Sequence, residues 1–363
     1  MKTSLTSERV PQLDGLRAIA FSAVYLNHAL NVSFLWVGVD LFFVLSGYLI
    51  TGLLLRESEY LRFGTLVQFF YIRRMFRILI PYGAVLVLVT VFVESHWLTF
   101  WPYYILFSQN IAVAFHGGQG VLNPLWSLAV EEQFYLLWPA VLFVCPRPRL
   151  GLLCGSLMGV ALMLRMAAAI WAPDYLVTFT LTPFRMDLLA AGALIALVGR
   201  RPNGLFRWRR IWILMGSTAA VSFLTLAITQ EAFRAKTNSL LFNAIGYSLV
   251  LVGCASALIV ALTGTSGIVH RLLICPPIRY LGRISFMCYM AHEPILKLTD
   301  RLDGPLHAAV AFAAVIGFSS VTWYTFEERC IRLGRRLSSH PESKSNCRTT
   351  TVGYLEASKV SEA

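Results

Sequence analysis

The chain has 363 residues, 57% of them hydrophobic and 14% charged, with a mean hydropathy of +0.64 and a formal net charge of +12. Ordinary soluble domains carry roughly 25% charged residues, so this composition excludes a water-soluble globule and describes a polytopic membrane protein with recurring apolar runs of about 20 residues. The positive charge is read as Lys and Arg gathered in cytoplasmic loops, not as a nucleic-acid surface.

Residues 1–12 are polar and short, and no cleavable signal peptide is visible, because the first apolar stretch holds Arg17 and His28 and lacks a small-residue cleavage site. A first span is expected from Leu16 to Trp36 and a second from Val37 to Leu55. Residues 56–79 mix Arg56, Arg62, Arg73, Arg74 and Arg77 with aromatics and read as an interfacial amphipathic helix. A third span follows over Ile78 to Val93. Residues 96–127 are apolar but broken by Pro102 and rich in Trp and Tyr, which favour interfaces. Further spans are expected at 127–145, 150–172, 178–199, 211–230, 239–263, 284–299 and 305–326, and a disordered tail at 337–363. Seven cysteines show neither CxxC nor zinc spacing and read as reduced thiols. No His-rich ligand spacing points to a metal.

Charge decides the count. Arginine clusters lie at 73–77, 147–149, 200–210, 271–283 and 329–336. All five share one side only if 97–115 fails to cross, and the positive-inside rule selects that arrangement. The expected fold is an all-α integral membrane protein of about ten spans. Both termini are then cytoplasmic, 96–127 is a re-entrant or extracytoplasmic segment, and the bacterial inner membrane is the expected location.

The ionisable residues inside apolar segments are functional candidates, because lipid neither solvates charge nor satisfies polar groups. Arg17 and His28 are eleven residues apart in one segment. On a helix that is about 20° short of three full turns and about 16 Å along the axis, so both side chains lie on nearly one face. Taken singly, a snorkelling Arg and a satisfied buried His explain them as well; the pair on one face favours a ligand with a charged head and a reactive end. Arg73 and Arg77, four apart, share a face beneath Arg17. Three guanidinium groups suit the phosphates of a nucleotide-like molecule, although from charge alone a cluster touching anionic lipid is the better reading. Glu131 and Glu132 sit just inside a span that Ser127 is placed to cap. Arg185 and Asp187 are expected either to pair with each other or to leave Arg185 to neutralise Glu131 or Glu132. Arg165 needs a partner, His292 and Glu293 lie toward the outer end of the ninth span, and Glu327 and Glu328 read as a structural ion-pair site.

LDGLRAIA with Arg-x10-His, GVDLFFVLSGYLI, FYIRRMFRILIPY, NPLWSLAVEEQFYLLWP, PFRMDLLAAGAL and LGRISFMCYMAHEPI occur in that order between residues 11 and 335. The set resembles the membrane-bound acyltransferase 3 family, whose members O-acylate bacterial polysaccharides, Nod factors, peptidoglycan and macrolides. The resemblance implies a ten-span core, an acyl-CoA co-substrate with acetyl-CoA as the default, and no tightly bound cofactor. It implies an essential His28, donor contacts from Arg17 and from Arg73, Arg74 and Arg77, and a structural or donor-side role for Phe42-Phe43-x-x-Ser46-Gly47. Asp14, Asp40, Glu131, Glu132, Arg185 and Asp187 fall in the same motifs and are expected in supporting roles. The transmembrane domain is expected over 1–336. Some relatives append an esterase-like domain; with about 27 residues after Arg336, a stand-alone version is expected here, relying on another protein for any later transfer.

The chemistry agrees with the resemblance. A sugar or glycolipid hydroxyl attacking a thioester needs a base, and His suits that role near neutral pH. Arg17 then anchors the CoA phosphates about 16 Å away. Direct transfer in a ternary complex is expected, with a covalent acyl-His step as the mechanistic alternative. The rival classes are a transporter, which commonly shows internal repeats not seen here, and an export subunit for a polysaccharide or lipid-linked sugar.

Overall fold

The structure is a computed structural model and describes residues 10–32, 34–118, 120–172, 174–202, 204–233 and 238–338. The expected tail lies outside the described residues from 339 onward. The described residues contain no β-strand and ten helices of 17 residues or more. They are α1 (Pro11–Ala29), α2 (Val37–Glu57), α3 (Phe63–Phe92), α4 (Trp126–Val144), α5 (Leu150–Trp171), α6 (Thr182–Gly199), α7 (Arg209–Thr229), α8 (Tyr247–Thr263), α9 (Pro276–Leu298) and α10 (Gly304–Leu337). Eight of them, α2 to α8 and α10, are long and apolar enough to cross a membrane. The other two, α1 and α9, have the length but carry the ionisable residues singled out above.

Those two helices lie against each other, and α1 also packs on α2. The α1–α9 approach is close because Gly282 faces the backbone of Asp14, where a Cβ would overlap the main chain. Gly47 does the same for the crossing of α2 and α6, meeting the carbonyl of Leu189. That accounts for Gly47 by packing. Large apolar side chains on the outer helices, such as Val144 and Ile228, stay exposed, as a lipid-facing surface requires.

Several boundaries differ from the sequence expectation: α9 begins at Pro276 where 284 is expected, α10 runs to Leu337 where 326 is expected, and three further differences bear on the site. The first helix ends at Ala29, not Trp36: the chain turns through Asn31 in the left-handed region (φ 54°) and re-enters a helix at Val37. Five of the seven residues 30–36 are apolar, so hydropathy alone could not find this turn. The expected interfacial helix and third span form one 30-residue helix, α3, that carries a π turn at Met75–Leu79. Ser127 lies inside α4 without capping it; its hydroxyl donates to the Pro124 carbonyl at 3.1 Å.

Residues 96–125 form four short helices, His96–Phe100, Trp101–Ile105, Gln109–His116 and Gly120–Leu125. The longest has eight residues, about 12 Å of rise against a hydrocarbon layer of about 30 Å, so none spans it. Their backbone is held by side chains. The Val121 N–H donates to Glu94 Oε1 at 2.8 Å, Gln109 Nε2 to the Leu125 carbonyl at 2.8 Å, and Tyr82 OH to the Tyr104 carbonyl at 3.1 Å.

Candidate active site

His28 sits in the last turn of α1. Its neighbour comes from 264 residues away: His28 Nδ1 lies 3.0 Å from His292 Nε2 on α9. The other ring nitrogen of His292, Nδ1, is 2.6 Å from the carbonyl oxygen of Tyr289. A carbonyl can only accept, so His292 Nδ1 carries that ring's proton and its Nε2 is an acceptor. His28 Nδ1 must therefore be the donor in the contact between the rings. The pair favours the tautomer in which His28 Nδ1 carries the proton and Nε2 the lone pair. Glu293 Oε1 stands 3.6 Å from His28 Nδ1, so a carboxyl group faces the same ring. An imidazole, an orienting partner and a carboxyl group thus converge, an arrangement chemically suited to moving a proton.

His28, Glu293 and Tyr289 line a cavity of about 500 Å³. The ligating atoms of His28, His292 and Glu293 lie within 4.8 Å of one another, so they are also the candidate metal-ligand set among the described residues. Two of the nitrogens such an ion would use share the hydrogen bond just described.

A second cavity, of about 280 Å³, opens nearer the start of α1. Arg17, Arg56, Arg74 and Arg77 line it, together with Ser46, Glu131 and Tyr135. Glu131 turns into it and accepts from Ser46 Oγ at 2.5 Å and from Tyr135 OH at 3.3 Å. Glu132, one residue on, points elsewhere, with Oε1 buried and unpartnered. Arg73 does not line the cavity. It pairs with Glu57 at 2.5 Å, while Arg74 and Arg77, three residues apart, line the cavity together. Val39 and Tyr289 border both cavities, so a two-residue wall separates the arginine-lined space from the His28 space.

The profile of the acyltransferase 3 family, described as an acyltransferase domain, matches residues 10–326. The chain belongs to the acyltransferase 3 family. Three relatives illustrate its place in that family. It is 31% identical over 336 residues to a peptidoglycan O-acetyltransferase of Listeria monocytogenes, covering 82% of this chain and 51% of that protein. It is 27% identical over 345 residues to a Staphylococcus aureus protein provisionally named an O-acetyltransferase (84% and 54% covered). It is 29% identical over 328 residues to a Bacillus subtilis protein provisionally named a peptidoglycan O-acetyltransferase (80% and 49% covered). The chain spans about half the length of the curated relatives it matches. No solved structure matches it.

Within this acyltransferase domain the remaining candidates form a different kind of site. Arg185 does not pair with Asp187 or with either glutamate; it pairs with Asp40 on α2, enclosed by Trp36, Phe43, Phe179 and Tyr247. Asp187 instead holds Arg165 at 2.8 Å, and Arg165 also donates to the Phe184 carbonyl at 2.6 Å. Three residues apart, Asp14 and Arg17 share the first turns of α1. His292 and Glu293 were read from the sequence only as charges in a span. The signal available there was two adjacent ionisable residues in an apolar helix, and nothing in the sequence tied them to His28.

Proposed function

We propose that this protein is an integral-membrane O-acyltransferase that moves an acyl group, acetyl by default, from acyl-CoA to a hydroxyl of a carbohydrate or glycolipid. The observation that carries the reading is the arrangement along α1: a cation-lined cavity at Arg17, an oriented basic nitrogen at His28, and a shared wall at Val39 and Tyr289. The CoA phosphates would meet Arg17, Arg74 and Arg77, and the thioester would reach toward His28. His28 Nε2 takes the proton of the acceptor hydroxyl, the oxygen attacks the thioester carbonyl, the C–S bond breaks, and the proton returns to the CoA thiolate. The same lone pair would be the nucleophile in an acyl-His route.

The names of the relatives support acetyl transfer to a cell-wall glycan as one acceptor class. The lengths of α1 and α9 and the five arginine clusters support ten crossings of the inner membrane with both termini cytoplasmic and residues 96–127 as a re-entrant or extracytoplasmic segment. Cysteine labelling at positions 149, 209 and 279 should report one side, the side of position 74; a split between 74 and 149 would remove that topology.

The test of the function is acyl transfer per purified, monodisperse molecule of His28→Gln. Gln can hydrogen-bond but takes no proton at neutral pH. A general base contributes about 10²–10⁴-fold, so the variant should lose at least that much while inserting and binding acyl-CoA normally. Activity within a few-fold of wild type would take His28 out of the mechanism.

A further inference from the structure

The cavity beside His28 has a lining unlike that of the arginine-lined space. Three asparagines face it, Asn27 and Asn31 from the end of α1 and the following turn, and Asn123 from the segment before α4. Among the described residues none of the three side chains has a hydrogen-bond partner, and the Asn123 carbonyl oxygen is buried without one. The buried Asn123 carbonyl oxygen is costly to leave unmet, while Asn27 is half-buried and Asn31 exposed at the cavity mouth, where both amides are open to a ligand. Opposite them stand aromatic rings: Trp126 against Phe179 at 5.1 Å between centroids, and Phe179 beside Tyr175 at 6.3 Å. No Lys or Arg lines the cavity, and its one acidic residue is Glu293.

We propose that this cavity binds one uncharged sugar ring of the acceptor, its C–H face against the Trp126–Phe179–Tyr175 aromatic group and its hydroxyls on Asn27, Asn31 and Asn123. The chemistry selects this ligand class. An amide offers two donors and two acceptor lone pairs, which matches hydroxyls that both donate and accept. Aromatic rings with polar tips suit an amphipathic ring better than a lipid chain, which would leave the amides unmet. The absence of a lining cation, together with the Glu293 carboxylate, disfavours phosphorylated or uronic-acid units. The size is within the ordinary range of ligand pockets, about 300–1,000 Å³. The inference rests on the acyl-transfer reading only for the role of the sugar as acceptor; the binding itself does not require it.

Binding is therefore measured without an acyl donor, by calorimetry on the full chain in nanodiscs. The probes are neutral oligosaccharides, an N-acetylglucosamine tetramer and a maltotetraose, and an anionic galacturonate tetramer. At least one neutral probe should bind saturably, and at least tenfold more tightly than the anionic one. This comparison uses the wild-type protein and needs no variant to fold. The double variant Asn27→Ala/Asn31→Gly, whose Gly accepts the left-handed backbone, should weaken neutral binding at least tenfold and leave acetyl-CoA affinity unchanged. Equal or tighter anionic binding, no neutral binding, or neutral binding unmoved in the variant would each overturn the sugar site. If acyl transfer is absent while neutral sugar still binds and depends on the asparagines, the sugar site stands and the transfer reading fails. If transfer proceeds with an unaltered acceptor KM in the double variant, the transfer reading stands and the sugar site fails.

Discussion

Two groups of arginines lie within the same helical bundle and are used in opposite ways. Arg165 and Arg185 are fully enclosed and each faces one aspartate, Asp187 and Asp40. Arg17, Arg74 and Arg77 line an open cavity, where four cations including Arg56 face one carboxylate, Glu131. In the first group charge is balanced residue by residue. In the second, positive charge exceeds the lining carboxylate, the condition that an anionic ligand would need. Position in an apolar segment does not distinguish the two, since Arg17 and Arg165 both look like misplaced charges in a span. What separates them is whether a carboxylate from another helix reaches them.

The largest expected effect breaks the closed group. Arg185→Ala leaves Asp40 buried without its counter-charge, and breaking a buried pair costs about 3–5 kcal/mol. The variant should express poorly and lose thermal stability in detergent. Arg185→Met with Asp40→Leu removes both charges and should recover much of that loss, because a well-packed apolar pair replaces a buried ion pair at little cost. If the double variant is no more stable than the single, the pair does more than balance charge.

A smaller effect is expected in the open group, and it falls on binding instead of folding. Arg77→Ala removes a charge-assisted contact worth about 1.5–3 kcal/mol, so acyl-CoA affinity should fall roughly 10- to 150-fold with the melting temperature nearly unchanged. A binding titration beside a melting curve separates the two groups: one arginine moves stability, the other moves affinity. A melting loss for Arg77→Ala as large as that for Arg185→Ala would erase the distinction. Addition of a chelator sharpens the reading of the His28 end. With His28 and His292 joined by a hydrogen bond, acyl transfer should not change on treatment with EDTA, and a loss restored by added zinc would convert that cluster into a metal site.

How much of this was legible in the sequence follows from what each feature depends on. Uniform apolar runs such as those of α5 and α7 were placed to within a few residues, because burial in lipid is a property of the run itself. The turn at Asn31 was missed because residues 30–36 are as apolar as the helix before them. The cross-pairing of Arg185 with Asp40 was not legible, since Asp187 is closer in sequence and only the crossing of α2 on α6 decides the partner. Arg17 and His28 were legible because one helix carries both and spacing alone puts them on a common face. His292 was visible as a charge in a span but not as the group that orients His28, because that contact joins α1 to α9.

The smallest effect concerns Arg73, and it tests the arrangement of the open group most finely. By spacing, Arg73 and Arg77 share a face, and a regular helix would send both to the same ligand. Arg77 lies within the π turn at Met75–Leu79 and Arg73 just before it, and it is the ion pair with Glu57 that draws Arg73 to another partner. Arg74 and Arg77 face the cavity, and Arg73 pairs with Glu57 at the end of α2, with both side chains about a quarter exposed or less (25% and 19%). A partly exposed pair of this kind is worth about 0–1 kcal/mol. Arg73→Ala should therefore change melting only slightly and acyl-CoA affinity by less than about threefold, against at least tenfold for Arg77→Ala. Glu57→Ala should behave like Arg73→Ala in both measurements. If instead Arg73→Ala weakens donor binding as much as Arg77→Ala does, then Arg73 leaves Glu57 when the donor binds. The set of three arginines read from the sequence would then act as one site, and the line between closed and open arginines would have to be redrawn at Glu57.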